Sequence, residues 1–260
     1  MRFTCLLLAM IYPTISWAFT ENIVVTPLNE KAFILKSIDA GTNIGLFKTN
    51  AGIVLIDPMP GDVNLDALNA QIQQLVGGAA TIVVNTHAHA DHTGGNAYFI
   101  AKGAVLIKDT ADVTGMDALV VKSHSAMDKV YFHKKSNSIF VGDIYDSSWH
   151  PTFYVGGIAG FKHAIAAVLK LGNDDSLIVP GHGKATGKTE LRRYQQHTLD
   201  WVARVRQLKN DGMTANEMEH DEQLKNILAT FNLDNKADFI PQPALVRFIE
   251  RTIAVIEQDK

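Results

Sequence analysis

The sequence predicts an α/β protein of four layers, in which two β-sheets pack face to face and helices cover both outer sides. Two runs of short apolar strands occur, each followed by helical segments, and each layer of such a sandwich hides one apolar face of its neighbour. The chain has 260 residues and 47% hydrophobic content, enough to bury a full core in one large domain.

Residues 23–25, 32–35, 45–47 and 53–56 are short apolar or alternating runs broken by Asn, Gly and Asp, the pattern of a strand meander. After Asp57-Pro58-Met59-Pro60-Gly61, residues 65–76 place Leu65, Leu68, Ile72 and Leu75 at helical spacing, and Gly77-Gly78 stops the helix. Residues 81–84 form a buried strand, followed by a helix near 95–101 and a strand at 104–107. Beyond a linker come hairpin strands at 129–132 and 138–141, a helix at 161–171, a strand at 177–179 and a long helix at 189–208. The tail from Asn216 is helical, with Pro241 and Pro243 setting off a last helix over 245–258.

The N-terminus has Arg2, an apolar stretch at 3–12, Pro13 and the small-residue pattern Ser16-Trp17-Ala18, which predicts a secretory signal over 1–18 and a mature chain starting at Phe19. Cys5, the only cysteine, lies inside it, so the mature chain has no thiol and suits an oxidising compartment, periplasmic or extracellular. The predicted organisation is therefore a signal at 1–18, the main domain at 19–210 and a helical extension packed on it at 211–260. No further segment has the length of a membrane span. A net charge of −3 supplies no basic field, which argues against nucleic acid and leaves a small-molecule substrate as the expected partner.

Thr86-His87-Ala88-His89-Ala90-Asp91-His92 sets four metal-capable side chains directly after an apolar strand. Histidines one residue apart can aim at one point from an irregular loop, while Asp91 and His92 face a second point alongside. A merely solvated polar loop accounts poorly for this density of ligands.

The motif resembles the His-x-His-x-Asp-His signature of the metallo-β-lactamase superfamily, without a gap. Asn43-Ile44-Gly45 and Gly52-Ile53-Val54-Leu55-Ile56-Asp57 resemble the family's early strands, Gly142-Asp143 its central Gly-Asp, and Val179-Pro180-Gly181-His182-Gly183 its final His segment. The resemblance implies the metallo-β-lactamase sandwich and a hydrolase with two Zn2+ ions. It implies that His87, His89 and His124 hold one ion, that Asp91, His92 and His182 hold the other, and that Asp143 bridges them. Two such ions lower the pKa of a shared water and polarise a carbonyl, and Asp91 gains a second, catalytic role in steering that water's proton. Iron or manganese would suit the same His and carboxylate set.

His124, His133, His150 and His163 all lie between the first cluster and Gly181. The family's third histidine precedes two strands that end in the Gly-Asp, and the interval from His124 to Asp143 has room for them. His133 falls in the expected turn beside Lys134 and Lys135, where a solvated side chain is the default. His163 reads as a packing residue of an amphipathic helix, and His150, in Trp149-His150-Pro151, as a residue of the substrate mouth. His197 and His220 read as helix-surface residues. Asp57 is either an ordinary strand-ending turn residue or one that orients a ligand, and the family pattern favours the second.

Relatives that open β-lactams usually carry Cys or Ser where this chain has Asp143, whereas thioester hydrolases such as hydroxyacylglutathione hydrolase carry Asp. Where many lactamases place a Lys for the lactam carboxylate, this chain has Asp146, which would repel that group. Both features point to an ester, thioester or lactone-like carbonyl, with a β-lactam or a non-catalytic metal-binding role as the alternatives. The chain also resembles exported zinc hydrolases associated with quinoprotein systems. The interval from His92 to His124 is short for the family, which predicts a site open on that side.

Overall fold

The computed structural model describes residues 22–38, 41–108 and 115–258, and the expected signal at 1–18 lies outside them. Six strands form the first sheet in sequential order: β1 (Ile23–Asn29), β2 (Ala32–Ser37), β3 (Ile44–Thr49), β4 (Gly52–Ile56), β5 (Ile82–Val84) and β6 (Val105–Leu106). β1 to β4 pair antiparallel in sequence order, and β4, β5 and β6 run parallel. Parallel neighbours need crossovers. They are supplied by α1 (Leu65–Val76) and by α2 (Ala90–Thr93) with α3 (Asn96–Ala101).

The second sheet runs β10-β9-β8-β7, from β7 (Asp117–Val121), β8 (Asp128–His133), β9 (Ser138–Gly142) and β10 (Leu177–Pro180). α4 (Gly157–Lys170) carries the crossover between the parallel strands β9 and β10. α5 (Lys188–Asn210), α6 (Ala215–Met218), α7 (Glu222–Ala229) and α8 (Gln242–Gln258) complete the chain, with α8 packed on α4 and α5.

The two-residue period of the strands sorts their side chains into three interlayer cores. Leu55, Val83, Leu35 and Leu46 meet Leu68 and Ile72 of α1 on the outer face of the first sheet. Val54, Ile56, Val84, Phe47, Tyr131, Phe140 and Val179 fill the gap between the sheets. Val130, Phe132, Ile139, Val141 and Ile178 face α4, α5 and α8. Three cores between four layers are the predicted sandwich.

The predicted elements all form, and α1 has the predicted bounds. β7 was read as linker, and Asp117–Val121 is an edge strand whose solvent side leaves Val120 exposed. The last helix starts at Gln242, so Pro243 lies inside its first turn, where a missing N–H costs nothing.

Candidate metal centre

The ends of the strands converge. β5 runs into the loop bearing His87 and His89 and then into α2 with Asp91 and His92, while β4 ends at Asp57. β9 and β10 run parallel and deliver Asp143 and His182 from adjacent strand ends, and His124 precedes β8. Two glycines make this convergence possible. Gly142 has φ 52°, and a Cβ there would fall 2.5 Å from Thr86 Oγ1; a Cβ on Gly181 would fall 2.0 Å from Asp143 Oδ1. Neither space admits a side chain.

All seven predicted residues meet, in two clusters sharing one carboxylate. In the first, His89 Nδ1 lies 3.1 Å from His87 Nε2 and 2.9 Å from His124 Nε2. Asp143 Oδ2 is 3.8 Å and 3.7 Å from those two Nε2 atoms. In the second, His182 Nε2 lies 3.2 Å from Asp91 Oδ2 and 3.6 Å from Asp143 Oδ1, and His92 Nε2 lies 3.2 Å from Asp143 Oδ1. Zinc bonds of ~2.0–2.1 Å at tetrahedral angles separate neighbouring ligand atoms by ~3.3–3.4 Å, within the span of these distances. His92 Nε2 and Asp143 Oδ1 are buried with no protein hydrogen-bond partner, a costly state that a cation relieves. Both clusters therefore fit a divalent metal.

The far sides of the rings are held by the protein, which fixes which nitrogen faces inward. Asp57 Oδ2 pairs with His92 Nδ1 at 2.9 Å and accepts from Thr86 Oγ1 at 2.6 Å, and Thr86 Oγ1 in turn lies 3.1 Å from His87 Nδ1. Asp57 thus orients one ring of each cluster, the second of its two readings. It adopts φ 52°, a left-handed conformation that Asp tolerates better than most residues. His124 Nδ1 lies 2.6 Å from Thr152 Oγ1. Asn43 Nδ2 donates to the carbonyls of Pro180 and Gly183, and Thr42 Oγ1 to that of Asp91, anchoring the segments that carry His182 and Asp91. Thr42, Thr86 and Thr152 were given no role by sequence reasoning, and Thr152 has no local signal, since its partner is far away in the chain.

Burial, with His92 nearby, lowers the His87 pKa to about 3, so this ring stays neutral with a lone pair available. Burial would also lower His92, but Asp57 and Asp143 outweigh it and raise its pKa to about 11. Burial would raise Asp143, but the adjacent His92 ring, with His182 and His87, holds it well below the usual carboxylate range. The His182 hydrogen bond lowers Asp91 to about 2. Carboxylates that stay ionised beside inward-facing imidazoles form a receptor for cations.

The other histidines depart from expectation. His133 is buried, not solvated, with its ring 4.6 Å from that of Phe47 and Nδ1 2.7 Å from Ser136 Oγ. His150 does not line the mouth: it is buried, stacked 4.1 Å from Phe248. His163 is exposed on the solvent side of α4 instead of packing. His220 is exposed but stands in the turn after α6, and His197 is half-buried on α5. Asp146 is buried, accepts from Ser148 N and Oγ, and has a pKa raised by burial to about 6, so it presents no carboxylate to a substrate.

Residues 38–108, which include the His87 to His92 motif, match the family model of the metallo-beta-lactamase superfamily. Among solved structures it is similar to the metallo-beta-lactamase FIM-1 from Pseudomonas aeruginosa in its mono-zinc form, with 17% identity, TM-score 0.58, and coverage of 67% of this chain and 94% of that one. A metallo-beta-lactamase from Pontibacter korlensis matches with 18% identity, TM-score 0.57 and coverage of 67% and 97%. DIM-1 metallo-beta-lactamase matches with 16% identity, TM-score 0.56 and coverage of 67% and 96%. At these identities the likeness establishes the metallo-beta-lactamase fold. No curated protein matches the sequence significantly.

Proposed function

We propose that this chain is an exported dinuclear zinc hydrolase acting on an ester, thioester or lactone-like carbonyl. The observation that carries the reading is Asp143, whose two carboxylate oxygens each complete one of two adjacent ligand clusters. Bound there, two zinc ions supply Lewis acidity for the carbonyl and activation of the attacking water. His87, His89 and His124 would hold one ion and Asp91, His92 and His182 the other, with Asp143 between them. Of the two carboxylates in the ligand set Asp91 is the more exposed, its side chain 55% accessible against 12% for Asp143, and its Oδ2 already faces His182. It takes the proton that the attacking water gives up and returns it to the leaving alcohol or thiol. The 1–18 signal pattern supports export, to the periplasm or beyond.

Asp143 in place of the Cys or Ser usual in β-lactam-opening relatives supports the carbonyl reading. The buried Asp146 leaves no lysine where such relatives hold the lactam carboxylate. β-Lactam hydrolysis is the second reading, favoured by the fold shared with FIM-1 and DIM-1. The test incubates the mature, zinc-loaded protein with a simple thioester and with a chromogenic cephalosporin, each with and without chelator. Chelator-sensitive thioester hydrolysis with a silent cephalosporin is expected. Efficient cephalosporin opening would overturn it, and metal analysis of the active protein distinguishes zinc from iron or manganese.

A further inference from the structure

His124 stands in the loop 122–127 between β7 and β8, and β7 is the outer strand of the second sheet. Loops move more than the elements they connect, so a ligand placed there needs a restraint of its own. In this loop the restraint is Asp128, the first residue of β8, which is 2% exposed and belongs to neither ligand cluster. Its carboxylate accepts from the residues on both sides of His124. Ser123 N donates to Oδ2 at 2.9 Å, Ser125 N is shared between the two oxygens at 3.0 Å each, and Ser125 Oγ donates to Oδ1 at 2.6 Å. Val121 and Asp128 face each other in the strand register, so the carboxylate closes the loop at its base.

Two N–H groups tied to one buried carboxylate fix the backbone on either side of His124, and with it the direction in which the ring leaves the chain. The same segment is held from outside, where Gly156 N donates to Ser123 O at 2.7 Å and Thr152 Oγ1 meets the ring at Nδ1. Thr152 sets the rotation of the ring, and Asp128 sets where the ring starts. We infer that Asp128 is a positioning residue of the first metal cluster, keeping His124 Nε2 beside His89 and Asp143 by clamping the loop. This assignment rests on the dinuclear reading and ties one residue outside the ligand set to one of the two ions. Asp91, His92 and His182 are carried by α2 and the end of β10, so the second cluster should not feel a change at Asp128. Asparagine at this position turns one acceptor into an N–H donor facing the backbone N–H groups, and a buried donor left unpaired is costly. Glutamate keeps the charge but moves the acceptors by one methylene. Both misplace the loop, whereas a role through charge alone would survive in glutamate.

The test is the zinc affinity of the mature protein, by competition with a chromogenic chelator, in two backgrounds. His182→Ala leaves the first cluster complete, and His124→Ala leaves the second. Asp128→Asn should weaken zinc binding about 10–100-fold in the His182→Ala background and leave it unchanged in the His124→Ala background. Asp128→Glu should behave in the same way. Ser125→Ala removes only the hydroxyl donor and should give a smaller loss, again confined to the first cluster; it carries the comparison if Asp128→Asn does not unfold cooperatively in urea. Equal losses in both backgrounds would make Asp128 a residue of general stability and overturn the assignment, as would unaltered affinity at the first cluster or full retention by Asp128→Glu. A wild type that binds no zinc overturns the dinuclear reading and the assignment together. If it binds two ions but cleaves no thioester, only the carbonyl-substrate reading fails, and the affinities still decide the role of Asp128.

Discussion

At the scale of single residues, Asp57 has the widest reach, because it touches His92 directly and His87 through Thr86. In Asp57→Asn the amide would offer an N–H toward His92 Nδ1, driving the ring to the tautomer that carries its proton on Nε2. The lone pair with which Nε2 would meet a metal is then lost. Zinc affinity at the second cluster should drop about 10–100-fold with the fold intact, as read by competition with a chromogenic chelator. Equal affinity in the variant would show that Asp57 is only a turn residue. His150 supplies a separate prediction about pH. Burial lowers its pKa from 6.5 to about 4 in the folded chain. Between these values the unfolded chain binds more protons, so stability is fully present above pH 6.5 and declines as the pH falls toward 4. The shift corresponds to about 3 kcal/mol at most. His150→Gln should flatten that decline in urea midpoints taken at successive pH values, and an unchanged slope would contradict the assignment.

At the scale of elements, the C-terminal helices are structural partners of the second sheet. Phe248 of α8 stacks on Trp201 of α5 at 4.2 Å and 3°, and the ring of His150 stacks on it as well, at 4.1 Å. Trp201 Nε1 donates to Thr252 Oγ1 at 3.0 Å, so the polar atom of this buried ring is satisfied. Phe248→Ala would leave a cavity between two rings that cannot close on each other, and should cost about 3–5 kcal/mol in denaturant unfolding. A loss below about 1 kcal/mol would mean that α8 is docked more loosely than its buried face implies. Because the His150 to Thr152 segment links this stack to His124, the same variant tests whether α8 supports the first metal cluster.

For the whole molecule, the candidate metal centre is where both sheets and the loop after β5 are tied together. Seven polar ligands brought together by four strand ends are held against their desolvation, and a bound metal would offset that cost only in the folded state. Zinc at one hundred times its Kd should add about 2.7 kcal/mol per site, and a chelator should remove it. For a chain of this size that difference moves Tm by roughly 2–4 °C per kcal/mol. Calorimetry with and without chelator, with zinc stoichiometry measured on the same sample, checks both the effect and the expectation of two ions. A Tm indifferent to chelator would separate the cluster from stability.

By itself the sequence determined what depends on neighbours along the chain. The alternation of Val54, Leu55 and Ile56 sets which face of β4 meets a helix and which meets the other sheet, and the period of residues 65–76 defines α1. His87, His89, Asp91 and His92 were legible for the same reason, since one loop supplies four ligands. Tertiary structure decided what depends on distance through space. His124, Asp143 and His182 meet the motif only because strand ends from both sheets converge, and Thr152 supports His124 across 28 positions of chain. His133 and His150 are polar residues in polar-looking segments, yet rings from other elements enclose them, so burial could not be read from their surroundings in sequence.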